Sequence, residues 1–170
     1  DIVWVGRGGS GAARIMEAVL REAQPPKPRC IVGFSDATTI LTSINRNFGW
    51  VCFHGPVVSS LGRSDHENDA ARCLAVLQGH RHHIDLPPQS GPTVSGTLKG
   101  GNLTVLASLV GTPSAPISGK QDLWFFEDVQ EAPYRIDRSL WQLKSSGLLD
   151  GAQGIFLGDF DLVEAEHRGV

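Results

Sequence analysis

Ser35 lies between a short apolar run, Cys30-Ile31-Val32, and a stretch in which Ile40, Leu41 and Ile44 recur at three- and four-residue spacing. The first pattern predicts a strand and the second a helix. Gly33-Phe34-Ser35-Asp36-Ala37 must turn sharply between them. Strand, tight turn and helix form the setting of a nucleophile elbow, where a serine hydroxyl stands clear of the sheet. The start of the following helix aims backbone N–H groups at any oxyanion formed nearby. Gly33 and Ala37 are small enough for the turn to pack closely. The pattern is G-x-S-x-A rather than G-x-S-x-G, and it has a second reading in which Ser35 or Asp36 caps the helix.

Three further groups could carry chemistry. Gly6, Gly8 and Gly11 in GRGGSG match the G-x-G-x-x-G spacing of a dinucleotide fingerprint. The acid that should follow roughly 20 residues later at the end of a second strand is replaced by a loop, Pro25-Pro26-Lys27-Pro28, and no P-loop lysine follows the glycines. The other reading is that the N–H groups of this turn face an oxyanion or a substrate carboxylate. Glu127 and Asp128 end the apolar run Leu123-Trp124-Phe125-Phe126. Acids at the C-terminal end of a buried strand sit where α/β proteins place chemistry, but either could equally cap the next turn or pair with Arg135 or Arg138. His80, His82 and His83 resemble a metal site in composition only. They lack helical i, i+4 spacing and a carboxylate in reach, which predicts a solvated loop and no metal.

The elements that must position these groups follow from the pattern. Ile2 to Val5 read as a buried strand, and Ala12 to Ala23 as a helix with Ile15, Val19 and Leu20 on one face. Pro25 to Pro28 stop that helix. Trp50 to Phe53 form another strand, ending at His54-Gly55-Pro56, and Asp65 to Gln78 another helix. Strand–turn–helix units in succession argue for a parallel α/β sheet. Gly96 to Gly101 read as turn-rich, Asn102 to Val110 as helix-like, and Tyr134 to Leu143 as a helix with Ile136, Leu140 and Leu143 inward. The composition shift predicts an α/β nucleophile domain over 1–78 with a partial parallel sheet, a linker over 79–95, and a smaller, strand-rich second domain over 96–170, with a site in the cleft between them. The chain opens at Asp1 within a strand-like run, without Met, and stops soon after a further strand and turn, which predicts a fragment.

Of the 170 residues, 41% are hydrophobic and 19% charged, with a net charge of −3 and a pI near 6.1. That balance gives no electrostatic reason for a nucleic acid or anionic membrane partner. No apolar run is long enough for a transmembrane helix, and no signal peptide is visible. Cys30, Cys52 and Cys73 have no C-x-x-C spacing, which predicts reduced, cytosolic thiols.

Taken together, IVGFSDATTILTSINR, FHGPVV, GTLKGGNLTVLASLVGTP and FFEDVQEAPYRIDRSLWQLKSSGLLDGAQGIFLGDF resemble the LD-carboxypeptidase family. These are serine peptidases that include muramoyltetrapeptide carboxypeptidases and microcin C immunity peptidases. The resemblance runs from GRGGSG to GDF. It implies a Ser–Glu–His triad, with the nucleophile at Ser35 and the glutamate at Glu127. It implies an oxyanion hole of backbone N–H groups from Asp36 and from the glycine turn, at Gly9. The implied activity is hydrolysis of the bond between meso-diaminopimelate and the terminal D-Ala of murein tetrapeptide. It serves peptidoglycan recycling in the cytoplasm, without metal or other cofactor, and a homodimer is expected. The family usually carries a bulkier residue where Ser10 stands. Its histidine falls beyond Val170. His54 matches a family position that is not the triad base, and His167 comes too early. These 170 residues alone are therefore expected to be inactive, because a serine hydroxyl without a base is a weak nucleophile. The alternatives are a catalytically silent relative that binds murein peptides, a hydrolase of microcin C-type acyl-adenylates, and an unrelated nucleotide-binding α/β protein.

Overall fold

The computed structural model describes residues 1–22, 27–63, 67–84 and 92–162. Its elements in chain order are β1 (Ile2–Trp4), α1 (Ala12–Glu22), β2 (Cys30–Gly33), α2 (Thr38–Phe48), β3 (Cys52–His54), α3 (Glu67–Leu77), β4 (Thr97–Asn102), α4 (Leu103–Leu109), β5 (Asp122–Glu127), α5 (Pro133–Ser145) and β6 (Ala152–Leu157). Single 3₁₀ turns cover Ser35–Ala37 and Val58–Ser60. The strands form two three-stranded sheets, β1-β2-β3 and β4-β5-β6. Every pairing is parallel. Parallel neighbours need a crossover, and α1, α2, α4 and α5 each follow one strand and precede its neighbour. The α/β class with a parallel sheet is as expected, and the second sheet is parallel too.

Each sheet has its own core. Met16, Ile31, Leu41, Ile44 and Trp50 pack in the first, flanked by Leu20, Ile40, Phe48 and Cys52. Leu103, Leu106, Ala107, Trp124, Phe126, Leu143 and Leu148 pack in the second, with Ile136 and Leu140 against them. In β5 burial alternates, with Asp122, Trp124 and Phe126 inward and Leu123, Phe125 and Glu127 half-buried. That alternation is the two-residue period of a strand, and it gives Glu127 a face apart from the apolar core.

The structure corrects three expectations. α1 turns Ala12 and Met16 inward, with Leu20 beside them, while Ile15 and Val19 are exposed. The four-residue spacing of Ala12, Met16 and Leu20 makes one stripe, and its small first member lets the helix start close to the sheet. β1 is not buried, since Ile2 and Val3 are about half exposed. Among the described residues it pairs with β2 alone. Thr97 to Gly101 are strand rather than turn. Gly100 and Gly101 have φ of 139° and 140°, and a Cβ on Gly100 would overlap the Phe125 carbonyl oxygen. The glycines there admit the β5 backbone instead of making a bend.

Expectations on Ala23, Pro25, Pro26, Asp65, the 85–91 part of the linker and His167 lie outside the described residues. No helix among the described residues is long and apolar enough to cross a membrane.

The two sheets meet through α2. The Asn102 N–H donates to Thr38 Oγ1 at 3.1 Å, and Arg46 Nη1 donates to the Ala115 carbonyl at 2.6 Å. Thr38, Thr39, Thr42 and Ser43 are buried. Thr42 and Ser43 satisfy their hydroxyls on the carbonyls of Thr38 and Thr39, one turn back. A polar stripe can therefore face the seam. Gly49, in the left-handed region at φ 67°, ends the helix by donating to the Asn45 carbonyl.

Candidate active site

The first component is the turn between β2 and α2. Gly33 ends β2 where a Cβ would stand 2.7 Å from the Ala37 Cβ and 3.0 Å from Val5 Cγ2, so only glycine fits. Phe34 is extended, and its carbonyl accepts from the Ala37 N–H at 3.2 Å. Ser35 between them has φ of 60°. That left-handed conformation is uncommon for a residue with a Cβ and stores strain of about 1–3 kcal/mol. Ser35 makes no side-chain hydrogen bond among the described residues, and neither the 3₁₀ turn nor α2 has a side-chain cap. The strained backbone expected at Ser35 is present, and Ser35 and Asp36 do not cap their own helix.

Asp36 turns to the glycine loop instead. Its Oδ2 accepts from the Ala12 N–H at 3.0 Å, at the start of α1. This contact ties GRGGSG to the elbow. Gly8 comes so near that a Cβ on it would lie 3.2 Å from Ser35 Cβ and 3.4 Å from Oγ. Arg7, Gly8, Gly9, Ser10, Asp36 and Ile40 line a pocket of about 340 Å³. Gly9 and Asp36 therefore share one pocket beside Ser35. A pyrophosphate at the start of α1 would find the Ala12 N–H taken and a carboxylate in its way, which counts against the dinucleotide reading.

The second component is the end of β5. Glu127 pairs in register with Asn102, the last residue of β4. Its Oε1 lies 3.3 Å from Nε2 of His54, the last residue of β3, and both side chains are largely buried. The contact is not a formed hydrogen bond, and Oε1 and both ring nitrogens have no hydrogen-bond partner among the described residues. The imidazole sits between Phe34 and Phe125, with ring centroids 5.2 Å and 5.1 Å away. Asp128 has a different fate. It is buried, and accepts from Asn102 Nδ2, from the Thr104 N–H in α4 and from the Val129 N–H. Capping thus describes Asp128, not Glu127. Arg135 pairs with Glu131, and Arg138 lies over the Tyr134 ring.

Residue-type reasoning missed the His54–Glu127 pair. The available signal was position: His54 and Glu127 each end a parallel strand, where such sheets place chemistry. The described histidines of the linker, His80, His82 and His83, are exposed, and no described group of three His, Cys, Asp or Glu could hold a metal ion. The three cysteines are free thiols. Burial, and next the neighbouring Cys30, push the Cys52 thiol up to about 11, and burial raises Cys73 as well.

Residues 1–55 match the LD-carboxypeptidase N-terminal domain and residues 95–169 the LD-carboxypeptidase C-terminal domain. The chain is 35% identical over 169 residues to a Rickettsia conorii protein that carries a carboxypeptidase name, covering 94% of this chain and 53% of that one. It is 35% identical over 172 residues to the murein tetrapeptide carboxypeptidase of Pseudomonas aeruginosa, covering 93% and 55%. It therefore spans about half the length of these curated relatives. Among solved structures, the muramoyltetrapeptide carboxypeptidase of Oxalobacter formigenes superposes with a TM-score of 0.72 at 29% identity, covering 98% of this chain and 59% of that one. Both halves of the chain carry the same assignment: it belongs to the LD-carboxypeptidase family.

Proposed function

We propose that the whole protein is a serine carboxypeptidase that hydrolyses the L,D bond between meso-diaminopimelate and the terminal D-Ala of murein tetrapeptide. The observation that carries the reading is Ser35 at φ 60°, with its hydroxyl uncommitted and the glycine turn drawn over it. Ser35 Oγ attacks the scissile carbonyl carbon. The oxygen that becomes negative is met by the N–H groups of Asp36 and Gly9, a form of charge stabilisation that is often the largest single catalytic contribution. D-Ala leaves with a proton, and water then releases the tetrapeptide's remaining part from the acyl-serine. Glu127 orients the imidazole that moves the proton, as the acid of a triad does. The substrate class follows the family resemblance and the name of the Pseudomonas relative.

The same reading takes residues 1–78 and 96–170 as two domains with the site in the cleft between them. It needs no cofactor, and it places the protein in the cytoplasm as a homodimer. The triad histidine matches no histidine of these 170 residues, so this stretch alone turns over little substrate.

The test is release of D-Ala from murein tetrapeptide by the whole protein. Ser35→Ala and Glu127→Ala each lower kcat by about 10³-fold or more, and the double variant is little worse, because a triad acts as a unit. Full activity of Ser35→Ala, or of the 170 residues alone, refutes the assignment.

A further inference from the structure

We infer that His54 is a positioning residue that holds the Glu127 carboxylate through Oε1 and leaves Oε2 to orient the base. The inference rests on the triad role proposed for Glu127. Glu127 leaves the end of β5 on a side chain with three rotatable bonds, and backbone register fixes only its Cα. Among the described residues Oε1 is buried without a hydrogen-bond partner, and a carboxylate oxygen in that state is costly unless a donor is at hand. The donor within reach is His54 Nε2, at 3.3 Å.

His54 itself is well fixed. Its backbone pairs in register with Gly33, two residues before Ser35. The Phe34 and Phe125 rings flank the imidazole, and Gly101 closes the Nδ1 side, where a Cβ would stand 3.4 Å away. Phe34 belongs to the elbow, while Phe125 and Glu127 belong to β5. The histidine thus couples the strand that carries the acid to the turn that carries the nucleophile. At 3.3 Å Nε2–H is within reach of Oε1, in keeping with catalytic hydrogen bonds that tighten only once substrate is bound.

The test compares His54→Leu and His54→Gln in the whole protein. Leucine fills the ring's space without a donor, whereas glutamine keeps an N–H donor. His54→Leu lowers kcat by about 10²-fold, the cost of a misplacement on the order of 1 Å, with KM within about 2-fold. His54→Gln restores most of kcat. Adding His54→Leu to Glu127→Ala costs nothing further, because the effect runs through Glu127. The inference is overturned if His54→Leu changes KM alone, if glutamine does no better than leucine, or if the loss persists in the Glu127→Ala background. A loss as deep as that of Ser35→Ala, without rescue, would make His54 a reacting base and equally overturn it. Failure of the triad reading looks different: there Glu127→Ala itself retains kcat, whatever His54 does.

Discussion

Asn102 Nδ2 donates to Asp128 Oδ1 at 2.8 Å, and both residues are about 5% exposed. Asn102 Oδ1 meanwhile accepts from the Val105 N–H and caps α4. Its own N–H reaches Thr38, at the start of α2. One buried residue thus links the elbow helix, the first turn of α4 and the residue after Glu127. Asp128→Ala would leave Asn102 Nδ2 and the N–H groups of Thr104 and Val129 without this acceptor. The expected loss is about 3 kcal/mol, with Asp128→Asn costing about 1 kcal/mol because an amide oxygen still accepts. Urea unfolding of the whole protein measures both. Equal values would show that one retained acceptor oxygen does not rescue the site.

Two glycines should respond oppositely to the same substitution. Gly100→Ala places a methyl group against the Phe125 carbonyl at φ 139°, and is expected to destabilise by more than about 3 kcal/mol or to prevent folding. Gly62 has open space around its Cβ position and lies outside the left-handed region, so Gly62→Ala stays within about 0.5 kcal/mol of the parent. Thermal melts of the two variants check the pair. Similar melting temperatures would contradict the close approach of β4 and β5.

Cys52 makes stability sensitive to alkali. Burial holds its folded pKa at about 11, above the ordinary thiol value of 9.0. The neutral thiol is therefore the form the fold favours. Its contribution is fully present below pH 9 and is lost as pH rises through about 11. Cys52→Ala should flatten the fall in stability over that window, and leave the slope below pH 8 unchanged. Denaturant midpoints from pH 7 to 11 give the comparison, and parallel curves for parent and variant would count against it. The same shift makes Cys52 slow to alkylate at pH 8, because the thiolate is the nucleophile.

Asp36 separates into backbone and side chain. The carboxylate holds the start of α1 through Ala12, while the proposed catalytic part is the N–H. Asp36→Ala keeps the N–H and loses the acceptor. The expected cost is about 0.5–2 kcal/mol of stability, the range for losing an N-terminal acceptor, with a kcat loss far smaller than that of Ser35→Ala. Melting temperature and D-Ala release, measured on one preparation, test this. A kcat as low as that of Ser35→Ala would assign the carboxylate itself a chemical role.

What could be read from the sequence depended on how local the cause was. The strand–turn–helix at Cys30 to Phe48 is local, since apolar spacing and two small residues specify it, and the structure has it in place. β5 was legible for the same reason, as a run of large apolar residues. β4 was not. Thr97-Leu98-Lys99-Gly100-Gly101 has turn composition and becomes strand because β5 lies alongside it, a cause outside the segment. The inward face of α1 was misjudged because Ile15 and Val19 are more apolar than Ala12, yet the sheet accepts the smaller residue. Ser35, Asp36 and Gly9 come from two strand-to-helix turns and were visible as candidates. The neighbourhood of His54 and Glu127 depends on two sheets meeting across α2. Neither strand's own residues encode that meeting.

The backbone at Ser35 sets two kinds of fitness against each other. With φ at 60°, a side chain at this position works against its own chain, and glycine would relieve about 1 kcal/mol, part of it offset by glycine's freedom in the unfolded state. A library of variants sorted only for heat resistance would therefore favour Ser35→Gly. It would recover proteins that survive better and, under the function proposed here, hydrolyse nothing. Activity would have to be part of the screen from its first round.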